Sequence, residues 1–197
     1  MTSTGEPLRI LAVCTANICR SPVAERLLAR ELAAVGQAAI VTSAGTHGGR
    51  LAVDEHSVRA AQPLGVDLRD HRSRLLTAEL IEHDGADLIV TMSREHLREV
   101  VGLVPAAWPR TFTLRELARR ANDLHPAGRA ADSSLTFQRW LELVASGRKA
   151  ADMMSRSDDD DLRDPHGGPF KGHTLMVADV AELTATIAKR IPHAPFN

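Results

Sequence analysis

A short apolar run, Ile10-Leu11-Ala12-Val13, ends at Cys14 in a tight turn and then, from Ser21, becomes a helical pattern. No other feature constrains the fold as much. A bounded apolar run of this kind reads as a strand buried on both faces. Ser21 is a good N-cap residue and Pro22 suits a first helical position, while Val23, Leu27, Leu28, Leu32 and Val35 recur at helical spacing until Gly36 stops them. The unit is strand, turn, helix. Its turn reads Cys14-Thr15-Ala16-Asn17-Ile18-Cys19-Arg20. Backbone N–H groups of such a turn converge, and the helix adds its positive end, which together make a nest for a tetrahedral anion. Arg20 closes the nest with a planar fork that grips two oxygens at once. A thiol placed beside a helix N-terminus and a cation ionises more readily than a free one, and Ser21 sets a hydroxyl nearby. Cys14 therefore reads as a nucleophile and Thr15 to Arg20 as its anion cradle, against the plainer reading of a cysteine as a small buried apolar residue.

The stretch from Cys14 to Pro22 resembles the signature of the low-molecular-weight protein tyrosine phosphatases, Cys-x-Gly-Asn-x-Cys-Arg-Ser-Pro. Ala16 stands in place of the glycine and keeps the position small, and Asn17, which tolerates left-handed backbone, stands where the family's asparagine holds the loop open. Asp164-Pro165 occupies the place of the family's general acid. Pro165 biases Asp164 away from helix and onto a loop, and an acid is needed because an alkoxide or phenolate leaves poorly without a proton. Further along, Val41 to Thr46, Leu68 to Arg74 and Ala86 to Ser93 resemble the family's second strand, its Asp-His-x-Ala-Arg segment and its third strand. The resemblance implies that Ser21, Ser43 and His71 support the loop from behind. Ser93 departs from the aspartate common in relatives, which leaves His71 without that charge partner.

The expected fold is α/β, a single domain over residues 1–197 with a four-stranded parallel sheet flanked by helices. Strands are predicted near residues 8–13, 39–43, 87–91 and 110–113, with ligand at their carboxyl ends. The last helix is predicted to start near Thr174 and to stop at Pro192. Residues 122–163 read as an insertion before the acid loop: a flexible stretch from Pro126 to Ser134, an amphipathic helix whose Leu135, Phe137, Trp140, Leu141 and Val144 pack on the core, and a solvated acidic run from Asp158 to Asp161. That run abuts Asp164, and like charges nearby favour a protonated acid.

With 44% hydrophobic content and a net charge of -1, the 197-residue chain can bury a core and carries no bulk bias toward nucleic acid or membrane. No apolar stretch is long enough to span a bilayer, and Met1 to Pro7 lack the features of a secretory signal, so the expected compartment is the cytoplasm. Both cysteines fall inside the loop motif, so there is no disulfide scaffold, no zinc spacing and no metal or other cofactor to expect. In the family's geometry Cys19 lies close enough to Cys14 for a protective disulfide; a packing role stays open beside it.

The resemblance implies a phosphomonoester hydrolase working through a cysteinyl-phosphate, with Cys14, Arg20 and Asp164 as the catalytic set. Its substrates would be phosphotyrosine in proteins or small phosphomonoesters, with phosphate and vanadate as inhibitory anions. Two alternatives stand: arsenate reduction with an external thiol, since no cysteine follows Cys19, and a non-catalytic phosphopeptide-binding role. The chain has no tyrosine and only 3% aromatic residues, and His166 follows the Asp-Pro pair, so no aromatic wall for a phosphotyrosine ring is visible.

Overall fold

The computed structural model describes residues 6–82, 85–124, 135–153 and 158–192. Strands β1 (Leu8–Cys14), β2 (Ala39–Gly45), β3 (Leu88–Thr91) and β4 (Thr111–Thr113) form one parallel sheet in the order β2-β1-β3-β4. All four agree with the predicted strands to within two residues. Between and after them run helices α1 (Arg20–Ala34), α2 (Glu55–Ala61), α3 (Ala78–Glu82), α4 (Arg94–Leu103), α5 (Leu114–Leu124), α6 (Phe137–Ala145), α7 (Ala150–Met153) and α8 (Phe170–Arg190).

The pleat of β1 explains its unbroken apolar sequence. Ile10, Ala12 and Cys14 enter a large core with Leu27 and Leu28 of α1, Leu117 of α5 and Val180 and Ile187 of α8, while Leu11 and Val13 enter a smaller one with Ile81, Val100 and Val104. Both faces of the strand are thus covered, as parallel sheets require. The chain leaves β1 toward β2 on one side and later returns to β3 on the other, so a crevice opens at the carboxyl end of β1. Cys14 lies there. Among the described residues no helix is long and apolar enough to cross a membrane.

Several local expectations are corrected. Ser21 is not the N-cap of α1: the helix starts at Arg20 with Cys19 at the cap and no side-chain capping bond. The reason is that the Ser21 hydroxyl faces sulfur, 3.0 Å from Cys14 Sγ. Gly36 does end the helix, in left-handed geometry with φ 80. The last helix begins at Phe170, four residues before Thr174, because its first turn pairs an exposed Phe170 with a buried His173 and so shows no apolar period. In α6, Trp140, Leu141 and Val144 do pack into the large core. The acidic run, however, is solvated only in part: Asp158 and Asp159 are exposed, but the next two are not. Asp160 is 7% exposed and pairs with Arg94 and Arg119, and Asp161 accepts from the Arg94 amide at the start of α4. These two carboxylates are engaged by α4 and α5 rather than poised on Asp164. The stretch from Pro126 to Ser134 lies outside the described residues.

Candidate active site

The loop from β1 to α1 is shaped by what presses on it. Gly45 at the end of β2 admits no side chain, since a Cβ there would lie 2.6 Å from Thr15 O and 2.9 Å from Asn17 N. Asn17 takes φ 55, the left-handed geometry that asparagine tolerates best after glycine, whereas Ala16 keeps a negative φ and needs no glycine. Thr46 N and His47 N donate to Cys14 O and Thr15 O at 2.9 and 2.8 Å, closing the loop against β2.

Behind the loop, Asn17 is fully buried and all four of its side-chain bonds are made. Its Nδ2 donates to Ser21 Oγ (2.9 Å) and Ser43 Oγ (2.8 Å), and its Oδ1 accepts from Arg74 N (3.0 Å) and faces His71 Nε2 (3.2 Å). Both oxygens of Asn17 near His71 Nε2 are acceptors, so that nitrogen carries the proton. Burial holds the His71 pKa below its ordinary value, against the pull of Glu25. Ser43 in turn donates to Glu25 Oε2 at 2.6 Å. Ser21 Oγ accepts from Asn17 and has two candidate acceptors for its own proton, Cys14 Sγ at 3.0 Å and Ala44 O at 3.4 Å, of which the sulfur is nearer; the sulfur also accepts from Asn17 N at 3.3 Å. Donation therefore runs outward from the Asn17 amide in both directions, through Ser43 to Glu25 on one side and to Ser21 beside Cys14 on the other.

On the open side, Arg20 is 5% exposed and its guanidinium donates to Leu162 O (3.2 Å), Thr15 Oγ1 (3.1 Å) and Asp164 Oδ2 (2.5 Å). Its buried Nε has no hydrogen-bond partner among the described residues. Asp164 is bent into a turn by His166 N, which donates to Oδ1 at 3.1 Å. Cys14, Thr15, Ala16, Ile18, Cys19, Arg20, Asp164 and His166 line a cavity of about 70 Å³. A hollow of about 180 Å³ near α4 and α5 is larger, but its Arg94, Arg119, Arg120 and Arg148 are already paired with Asp160 or Glu116. Convergent unspent chemistry sits in the smaller one.

The structure thus brings the expected site residues together: Cys14, Arg20 and Asp164 around one cavity, Thr15, Ala16, Ile18 and Cys19 lining it, and Asn17 buried behind it with Ser21, Ser43 and His71. Two participants were not foreseen. Glu25 supplies the charge beside His71 that Ser93 lacks, its Oε2 lying 3.9 Å from Nδ1; the available signal was its place one helical turn after Ser21. His96, 2% exposed, links Thr15 Oγ1 (2.9 Å from Nε2) to Ser93 Oγ (2.8 Å from Nδ1). Burial, with Arg20 nearby, pushes its pKa down to about 3, so its ring is neutral in ordinary buffers. Ser93 caps α4 and His96 follows three residues later, the spacing of a capping box with histidine in the acidic place.

A parallel sheet with a cysteine and an arginine bracketing the loop at the head of its first helix defines a class of anion-handling α/β proteins. Residues 9–147 match the family described as low molecular weight phosphotyrosine protein phosphatase, and the chain belongs to that family. It is 41% identical over 104 residues to the low molecular weight protein-tyrosine-phosphatase Etp of Escherichia coli K12, covering 52% of this chain and 66% of Etp. To phosphatase A of Mycobacterium tuberculosis H37Rv it is 42% identical over 99 residues, covering 48% of this chain and 58% of that protein. The chain thus spans under two thirds of either relative's length. Among solved structures, the YwlE arginine phosphatase from Geobacillus stearothermophilus superposes with a TM-score of 0.65 at 26% identity, over 92% of this chain and 91% of that one.

Proposed function

We propose that the protein hydrolyses phosphomonoesters, with phosphotyrosine in proteins as its leading substrate class and small aryl phosphates as accessible ones. The observation that carries the reading is the convergence of Cys14 Sγ, the Arg20 fork and the Asp164 carboxyl on one cavity. Cys14 attacks phosphorus in line, and Arg20 with the loop amides from Thr15 to Cys19 holds the equatorial oxygens. In the substrate-free arrangement Asp164 occupies the fork of Arg20. A phosphoryl dianion competes for that guanidinium and releases the carboxyl to protonate the leaving oxygen; the same group then takes a proton from the water that hydrolyses the cysteinyl-phosphate. Phosphate and vanadate inhibit by filling the same cradle.

Specificity is set at the rim. Among the described residues the cavity lining carries no Phe, Tyr or Trp, only the His166 imidazole, and His47, Gly48 and Gly49 follow the end of β2. With an arginine phosphatase among the structural relatives, phosphoarginine belongs on the substrate panel beside phosphotyrosine. Within residues 122–163, α6 is committed to the core and Asp160 to Arg94 and Arg119, and the link to the chemistry is the Leu162 carbonyl that holds Arg20, which supports a role in shaping the surroundings for the described part of this segment. A thiol nucleophile is best kept in a reducing compartment, and the two free cysteines support a cytoplasmic setting for this reading. The test is intact-mass detection of a phosphoenzyme after rapid mixing with an aryl phosphate: wild type gains one phosphoryl group, Cys14→Ala gains none. A phosphoenzyme in Cys14→Ala, or arsenate reduction in place of ester hydrolysis, overturns the reading.

A further inference from the structure

Beside the phosphate cavity, three elements bring a thiol, a carboxylate and an imidazole together. Cys19 stands at the N-cap of α1, Asp54 at the N-cap of α2 and His166 in the acid loop, and their ligand atoms all lie within 4.8 Å of one another. We propose that Cys19, Asp54 and His166 form a binding site for a zinc-class divalent cation that, when filled, ties the acid loop to the phosphate loop and inhibits turnover.

The spacings favour a cation over a hydrogen-bonded cluster. His166 Nδ1 lies 3.6 Å from an Asp54 oxygen. That is too long for a good hydrogen bond, yet close to the roughly 3.4 Å that separates two ligands each about 2.1 Å from a tetrahedral zinc. Asp54 spends Oδ1 on the His56 amide at 2.9 Å as a helix cap, and its Oδ2 is the oxygen facing His166. A donor set of sulfur, nitrogen and oxygen suits zinc and its neighbours, whereas magnesium and calcium want oxygen alone. The side chain of His166 is 60% exposed, which gives both an entry path and freedom for the ring to close the last distance. The fourth position is left to water.

The Cys19 thiol, which hydrogen-bonds Ser57, binds zinc as a thiolate, so the metal displaces its proton on binding. A second group, Asp54, His56 and His173, shares the carboxylate, but His173 is fully buried and Ser57 Oγ already holds its Nδ1 at 2.9 Å. No zinc pattern shows along the chain because the three donors come from three distant segments that only the fold unites. Binding stands on this geometry alone; inhibition rests on the phosphatase reading, because a metal held by His166 would keep Asp164 on Arg20 and close the exchange that a substrate dianion needs.

Cobalt(II), as a spectroscopic stand-in for zinc, is titrated into Cys14→Ser protein, so that Cys19 is the thiol left to bind it. One equivalent is expected to produce a thiolate-to-cobalt charge-transfer band with tetrahedral d–d bands, abolished by adding Cys19→Ser and weakened at least tenfold by adding His166→Gln or Asp54→Asn. In the Cys14-containing protein, zinc inhibition of aryl phosphate hydrolysis should need at least tenfold more metal in His166→Gln than in wild type, each referred to its own metal-free rate. Absence of the bands in Cys14→Ser, or equal zinc sensitivity of His166→Gln and wild type, overturns the proposal and assigns zinc to the Cys14 sulfur. Should Cys19→Ser fail to fold, the exposed His166→Gln decides the matter. A cobalt spectrum as expected in a protein that hydrolyses no ester keeps the site and rejects the phosphatase reading instead.

Discussion

The two sides of the cavity are held by different physics. Behind the phosphate loop, Asn17, Ser21, Ser43 and His71 are all buried and their side-chain bonds interlock, with Arg74 and Glu25 completing the set. In front, the Asp164 side chain is 46% exposed and is held by the Arg20 ion pair and one backbone amide. The contrast matches what each side must do. Donors that stabilise a pentacoordinate phosphoryl group act best when they need no reorganisation, so their frame has to be rigid. In the proposed hydrolysis the Asp164 carboxyl trades partners twice in each cycle, so its attachment has to be replaceable. A half-exposed ion pair contributes little to stability and is easily exchanged for a dianion.

Substitutions on the two sides should therefore fail in different ways. Arg20→Lys is expected to have the largest effect, a loss of roughly a thousandfold in kcat, because an ammonium cannot reproduce the planar grip. Steady-state kinetics on an aryl phosphate checks it, and activity near wild type would mean that the loop amides alone carry the charge. Asp164→Ala comes next, at about a hundredfold for phosphotyrosine and distinctly less for an ester with an activated nitrophenolate. Equal losses across a leaving-group series would move the acid elsewhere. Its stability should change by no more than about 1 kcal/mol, as expected of an exposed pair.

On the rigid side the order reverses. Asn17→Ala leaves Ser43 Oγ, Ser21 Oγ and Arg74 N short of a buried partner, which should cost about 2–3 kcal/mol of stability while lowering kcat only by around tenfold. Denaturant unfolding alongside kinetics tests this. A variant as stable as wild type would show that the frame is not preorganised by the network described above.

Legibility followed the same division. The strand, turn and helix, and the loop and Asp-Pro turn that meet at the cavity, were written in short contiguous patterns, because an apolar run, a loop motif and an Asp-Pro pair each carry their meaning locally. The frame was legible only where resemblance supplied Ser43 and His71. Beyond its place one turn after Ser21, nothing local to Glu25 sets it apart from other helix carboxylates; packing brings it to Ser43. Leu162, whose carbonyl accepts from Arg20, has no side-chain chemistry to reveal it. The run from Asp158 to Asp161 misled for the opposite reason: its composition is that of solvent-facing chain, and only the approach of Arg94 and Arg119 makes Asp160 a buried anchor. Composition reports the average fate of a residue type, whereas these partners are fixed by tertiary contacts far apart in sequence.

His96 offers the smallest and most specific test of the rigid side. It is almost fully buried between Thr15 and Ser93, with its pKa pushed down to about 3 against an ordinary value of 6.5. The unfolded chain therefore binds a proton at this position below pH 6.5 that the folded protein refuses until about pH 3. Through that window the unfolded state holds more protons, so stability falls as pH falls, by up to about 1.4 kcal/mol per pH unit from this residue alone. His96→Gln keeps a hydrogen-bonding side chain but cannot titrate. It should lose a little stability at pH 7.5, where histidine and glutamine are both neutral, and should then show a shallower decline between pH 6 and pH 4 than wild type. Parallel slopes for the two proteins would mean that His96 is protonated in the folded state as readily as in the unfolded one. Thr15 and Arg20 would then be held in place by a charged ring rather than a neutral one.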